Sequence, residues 1–558
     1  DLAPNARRGL LAAGSWPRVA RRRPVRMQAE RPPGRRLAGA CDPGRLVFPA
    51  RLIGRPHQRG DAESAGRALV QARESRPDRV VERSLDVAGD DRVPCLVAVR
   101  HTWIRNASER RLAYLLVATA AILPRLVVLL TQRGTITAAY VDKGSIFART
   151  FVDHGTYGFI PGHPSAYTQP LYGFFLIPPY WAFGTSWVVV GAAHLLVAAA
   201  TALLVYEIGR RVVSPLGGLL TALATTLHPY LIWHDMHMNR EILDHFLAAA
   251  VVLAVLVTVD RRSWGWAALA GAIAGVAILG NVRLAGLPLV LGAYLLWRNR
   301  RTALVPAVLV VVAAAAVVTP WVVRNGVSVG CYAVTTDGRA LWKANNVNTL
   351  DTLRAGKWID NVPGIPGAPL TPQDAGAIYA KTGRVVPTDE CAQMRFYQRK
   401  AFAFMREHPG EKAILAAWGA KMLWQPSVTK TSDRNGSGTW LDTLRSSAEP
   451  VFMIGLYLLG AIGLFFVPRR FAVLAVVVLA YNTLAAMVFV GETRYRTPWD
   501  FLIAVLAAAT VVALMERRRS AQPGTGARSD PHTDARRTPT GRDDGRPDPS
   551  PTRVPDPS

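Results

Sequence analysis

The chain has 558 residues and a formal net charge of +27, yet half of its residues are hydrophobic and its mean hydropathy is only +0.15. That average joins two extremes: charge collected at the ends and in short clusters, and long apolar runs between them. The pattern excludes a soluble domain built from amphipathic periods. It also excludes a nucleic-acid binder, which would gather its basic residues on one face of a soluble domain.

Residues 1–108 are rich in Arg, Pro and Gly and contain no lysine; the first is Lys143. They hold no run long enough to span a membrane and no secretory signal pattern. They read either as a disordered, basic, cytoplasmic N-terminal extension or as an artefact of a start site assigned too far upstream. Spans are then expected at 112–130, 187–208, 214–233, 242–259, 263–280, 283–297 and 302–323, and again at 451–467, 471–490 and 497–515. Several of them reach the roughly 20 apolar residues that cross a bilayer core. Residues 520–558, rich in Pro, Asp, Arg, Thr and Ser, cannot bury enough apolar surface to fold and read as a disordered tail.

Arginine placement orients the chain. With the N-terminus inside, Arg210–Arg211, Asp260–Arg262, Arg298–Arg301, Arg469–Arg470 and Arg517–Arg519 all fall on the cytoplasmic side, as does the C-terminus. The expectation is an all-α polytopic protein of the plasma membrane. About ten helices (helices 1–7 within 109–323 and 8–10 within 451–519) would carry interfacial helices, an outer first loop at 131–186 and a mixed outer loop domain at 324–450. Cys331 and Cys391 fall in that outer domain, where a disulfide and two free thiols both fit. Cys41 and Cys95 form no CxxC pair.

Polar groups at the apolar boundary are where chemistry is expected. In the first outer loop, Ile146, Phe147, Thr150 and Phe151 share a helical face, so an interfacial helix is expected with Asp142 at its start. Asp142 reads as a helix cap or as a general base able to take a proton from an attacking hydroxyl. Asp153, before a turn, reads as a helix end. In HPYLIWHDMHMNREILDHFL, His237, Glu241 and His245 are spaced i, i+4, i+8, which would place them on one helix face. They are weak candidates for a divalent metal, without an H-E-x-x-H pattern. Glu241 is also a candidate second carboxylate; the plain alternative is a polar helix start capped by Asn239. In GETRYRTP, Arg494 and Arg496 flank Tyr495 on the outer side, against the positive-inside trend. A lipid phosphate gives such arginines a reason to be there. Arg125, inside the first span, is a second costly charge. Trp342, Trp358, Trp418, Trp424 and Trp440 could stack on sugars or anchor at the interface; anchoring is expected for Trp418 and Trp424, on a helix at about 411–424.

From about 110 to 515 the chain resembles the C-type membrane glycosyltransferases, specifically the bacterial relatives of dolichyl-phosphate-mannose protein mannosyltransferases and of aminoarabinose transferases. The first span with its arginine, Asp142 ahead of an interfacial helix, the Gly155–Phe159 turn and SAYTQPLYGFFL carry the likeness. So do Asn239-Arg240-Glu241, TPWVVRN, TTDGRALWKANN and RYRTP. The resemblance implies transfer of one sugar, with inversion, from a polyprenyl-phosphate-linked sugar to a glycan, lipid or protein acceptor outside the cytoplasm. It implies Asp142 as base and Arg494 and Arg125 at the lipid phosphate, with Tyr167, Tyr495 and Arg496 beside the substrate. Many members carry two adjacent acids in the first loop; here Lys143 follows Asp142. The alternatives are a transporter or flippase of lipid-linked sugars, which should show internal repeats and broken mid-membrane helices, and an envelope polymerase or ligase joining whole glycans.

Overall fold

The structure is a computed structural model that describes residues 107–133, 142–298, 302–427 and 440–521. The expected N-terminal extension and C-terminal tail lie almost wholly outside the described residues. Among the described residues every regular element is helical, and the only β-type pairing is an isolated bridge between Ile160 and His163. The outer segment expected to be mixed is therefore built of helices too.

Seven helices are long and apolar enough to cross a membrane. They are Ala107–Thr131, Trp187–Val212, Glu241–Arg261, Leu304–Val329, Trp440–Gly463, Arg469–Phe489 and the segment ending in Asp500–Ala521. The other three expected spans are shorter helices, Pro215–Thr226, Trp264–Gly280 and Leu287–Arg298, so a count of ten is not established.

The expected span 214–233 is interrupted for a local reason. Pro229 has no N–H to continue the ladder. The chain leaves the helix after Thr226 and restarts at Pro229–His234, where the His228 side chain accepts from the Tyr230 amide at 3.1 Å. The helix Trp264–Gly280 packs against Leu304–Val329 through Gly271 and Gly275. A Cβ at Gly271 would lie 2.3 Å from the Val310 carbonyl oxygen, so only glycine permits this approach. Glu241–Arg261 and Asp500–Ala521 are largely enclosed by their neighbours, as expected of helices apolar on every side.

The expected loop 131–186 folds into two helices. Lys143–His154 is the expected amphipathic one; it ends where Gly155 turns left-handed, and exposed Asp153 is its last turn, not part of a site. Leu171–Phe183 is apolar along its length and was not expected. Residues 330–427 form a helical unit whose core includes Trp342, Leu350, Trp358, Tyr397 and Phe404. Cys331 and Cys391 form a disulfide. The helix expected at 411–424 is Pro409–Leu423, but the Trp424 indole beyond it donates to Thr483 Oγ1 at 3.0 Å and packs on Tyr457. Trp424 is therefore held by protein contacts.

The arginine-rich turns meet at one end of the bundle, where Arg470 pairs with Asp260 at 2.8 Å and the Tyr294 hydroxyl donates to the Arg470 carbonyl. Glu241 and Asp260 lie near opposite ends of one 21-residue helix. At about 1.5 Å per residue the two ends are roughly 30 Å apart.

Candidate active site

Asp142 is placed by its own helix. Its Oδ1 accepts from the Gly144 amide at 2.7 Å, capping Lys143–His154. Gly144 in turn lies against Gly173 of Leu171–Phe183. A Cβ on Gly144 would stand 3.0 Å from the Gly173 nitrogen and 2.9 Å from Asp142 Oδ1. Asp142 is thus a cap and a site residue at once, because it also lines a cavity of about 640 Å³. Burial pushes its carboxyl above the usual aspartate range, against the pull of Arg240 and the Gly144 amide.

Glu241, Arg494 and Tyr495 line the same cavity. So do Arg240, Arg283, Asp337 and Glu492, which sequence reasoning did not single out as site residues. The signal for two of them was present. Arg240 and Arg283 sit, like Arg494, at turns at the end away from the arginine-rich ones. The argument from misplaced arginine, applied evenly, selects all three. Asp337 and Glu492 had no such mark.

The cations are held differently. Lys143 pairs with Asp337 at 2.8 Å and lies over the Tyr167 ring. Burial raises the Asp337 carboxyl, and Lys143 more than offsets this, leaving it below the usual range. Arg494 forms a close ion pair with Glu492 and lies 3.9 Å from Glu241 Oε1, whose other oxygen is 3.8 Å from His234 Nε2. Arg240 donates to the Gln169 side-chain oxygen at 2.7 Å. Arg283 donates to the Val490 carbonyl at 3.1 Å, with its guanidinium 3.7 Å from the Tyr495 ring centre. Val490 itself stands at φ 86°, a conformation that β-branched residues rarely adopt. Among the described residues neither Arg240 nor Arg283 is in an ion pair, so these two cations spend their hydrogen bonds on neutral oxygens.

Other expected site residues lie elsewhere. Arg125 is fully buried and is not at the cavity. Its Nη2 meets Asp235 at 2.8 Å, and its Nη1 donates to the Thr226 carbonyl at 2.9 Å. That carbonyl is an orphan of the broken helix, so the arginine fills a backbone need inside the bundle. Arg496 is equally buried, bonded to Asp500 at 2.9 Å and to the Leu423 and Gln425 carbonyls. Tyr167 lies behind the cavity wall, beneath Lys143. The three metal candidates do not share a helix face. The helix starts at Glu241, so His237 lies before it and its Nδ1 donates to the Trp233 carbonyl at 2.9 Å, while His245 stacks near Phe501. Asn239 does not cap that helix; its amide donates to the His234 and His237 carbonyls. Among the described residues no group of three His, Cys, Asp or Glu could hold a metal ion.

Residues 168–323 match the family model described as dolichyl-phosphate-mannose-protein mannosyltransferase. Over that stretch the chain is similar to a family of membrane glycosyltransferases. The matched stretch holds Gln169, Arg240, Glu241 and Arg283, whereas Asp142 and Arg494 lie outside it. No curated protein matches the chain. Among solved structures it is similar to ArnT from Cupriavidus metallidurans bound to undecaprenyl phosphate, at 16% identity and a TM-score of 0.34, covering 73% of this chain and 78% of that one. The apo state of the same protein is 17% identical, with a TM-score of 0.32 and the same coverage. Superposition this loose adds nothing to the family match.

Proposed function

We propose that the protein transfers a sugar from a polyprenyl-phosphate donor to a hydroxyl acceptor on the non-cytoplasmic side of the membrane, with inversion, hexose or pentose alike. The observation that carries this reading is the meeting of Asp142 with Arg240, Arg283 and Arg494 in one cavity, at the bundle end away from the arginine-rich turns. The family model that residues 168–323 match is described by a lipid-phosphate-linked sugar, which makes a lipid phosphate a natural donor group to test.

Asp142 takes the proton of the acceptor hydroxyl. The acceptor oxygen bonds to the anomeric carbon, the bond from that carbon to the phosphate oxygen breaks, and its electron pair leaves with the polyprenyl phosphate. A carboxyl raised by burial is a better base than an exposed one. Arg240 and Arg283 hold the phosphate, exchanging neutral oxygens for charged ones, and stabilise the charge that grows on it. Arg494, already answered by Glu492, is a third and weaker contact. Glu241 acts by holding Arg494 in place. The disulfide supports the orientation, because such bonds persist on the oxidising side of a membrane.

The experiment supplies purified full-length protein with a panel of radiolabelled polyprenyl-phosphate sugars and follows release of lipid phosphate. Release from at least one donor by the wild type, lost in Asp142→Asn, is the expected result. A variant as active as the wild type would remove Asp142 as the base. No release from any donor would favour movement of lipid-linked sugars over their chemistry.

A further inference from the structure

The cavity is walled from two sources. One is the set of turns at the membrane helices: residues 142–169, 240–241, 281–283 and 489–495. The other is the helical unit beyond them, which supplies residues between Thr335 and Gln398. Acids line both walls, with Asp142, Glu241 and Glu492 on the first, but the cations do not. Among the described residues, every lysine and arginine lining the cavity, Lys143, Arg240, Arg283 and Arg494, comes from the first wall. The ionisable and amide side chains of the second wall are Asp337, Asp360, Gln373 and Gln398.

Basic residues do exist beside the second wall, but they are turned to its own acids. Lys343 pairs with Asp360 at 2.8 Å, and Arg339 pairs with Asp374 at 3.0 Å and reaches the Gln373 side-chain oxygen at 3.4 Å. The wall therefore presents carboxylate and carboxamide oxygens, and amide N–H donors, without a free cation.

We propose that the second wall binds the acceptor, and that the acceptor is an uncharged, hydroxyl-rich glycan. This rests on the glycosyltransferase reading above and adds the substrate class on the acceptor side. Hydroxyls donate well to carboxylates and can both give to and take from carboxamides, so Asp and Gln suit a polyol. A phosphorylated or carboxylated acceptor would find no lysine or arginine lining this wall, since Lys343 and Arg339 are held by Asp360 and Asp374, and this disfavours it here. Both carboxyls lie below the usual aspartate range: burial raises each, and the surrounding cations, led by Lys143 at Asp337 and Lys343 at Asp360, more than offset it. An extended peptide is favoured by an exposed strand edge, and among the described residues this wall is helical.

The test uses full-length protein in nanodiscs. Binding of polyprenyl phosphate alone is measured first. Neutral trisaccharides (maltotriose, cellotriose and chitotriose), singly phosphorylated forms of the same sugars, and a serine- and threonine-containing hexapeptide are then titrated by saturation-transfer NMR. At least one neutral trisaccharide is expected to bind, with its phosphorylated form at least tenfold weaker. Gln373→Ala and Gln398→Ala are each expected to weaken the neutral sugar severalfold without changing polyprenyl phosphate binding. Asp360→Asn is expected to narrow the gap between neutral and phosphorylated sugar. The inference is overturned if phosphorylated sugars or the peptide bind as well as neutral sugar, or if no trisaccharide binds while polyprenyl phosphate does. Failure of polyprenyl phosphate itself to bind would instead sink the donor reading on which the inference stands.

Discussion

Two sets of arginines in this protein face opposite problems. Arg125 and Arg496 are buried among membrane helices, each against a carboxylate and against carbonyls that a helix has left unpaired. Arg240 and Arg283 line the cavity and donate to neutral oxygens. A charge that is fully answered from within holds a fold together. A charge that makes no ion pair of its own still has hydrogen bonds to offer an anion. The cost of a buried charge therefore does not by itself mark a binding site; what marks it is the charge of the partner.

Four experiments would break or sharpen this contrast. Asp142→Asn should lower transfer by about 10²–10⁴-fold, the usual worth of a general base. Asparagine can still cap the helix, so the thermal midpoint should hold; an unfolded variant would mean that the cap, not the base, was removed. Asp235→Ala should cost about 3–5 kcal/mol of stability, because it strands the buried Arg125 charge. Donor affinity of the folded fraction should be unchanged, and a clear loss of affinity would return Arg125 to the substrate site.

Arg283→Ala should raise the donor KM by about 10–100-fold, the worth of a hydrogen bond to a charged group, at an unchanged thermal midpoint. Arg494→Ala should cost less, since Glu492 and Glu241 already face it; the reverse order would move the phosphate to Arg494. The smallest effect is on pH dependence. A base works only when deprotonated, so kcat/KM should fall as pH drops through the Asp142 pKa. Because burial raises that pKa, the acid limb should lie above the value of about 3.9 typical of an exposed aspartate. A limb at or below that value would argue against Asp142 as the titrating base.

The site was partly legible before any coordinates. Asp142 stood out because a carboxylate preceded an amphipathic period, and Arg494 because it broke the charge rule for its side. Arg240 and Arg283 broke the same rule, but one lies in a polar helix start and the other at the first position of an expected span, where a charge is unremarkable. Asp337 and Glu492 lie in polar stretches without periodicity, where one acid looks like another. Arg125 misled because its partner, Asp235, is 110 positions away and the break after Thr226 frees a carbonyl that no local pattern announces.

The sequence alone determined that the chain is a helical membrane protein, where its long apolar helices run, and which turns carry the arginines that gather at one end. These follow from local hydropathy and charge, which the bilayer reads segment by segment. Only the tertiary structure decided which polar groups meet. The pairing of Arg125 with Asp235, the joining of Cys331 to Cys391, and the gathering of the lining cations on one wall of the cavity all depend on contacts between distant segments. Packing of the helices sets those contacts, and no local pattern encodes them.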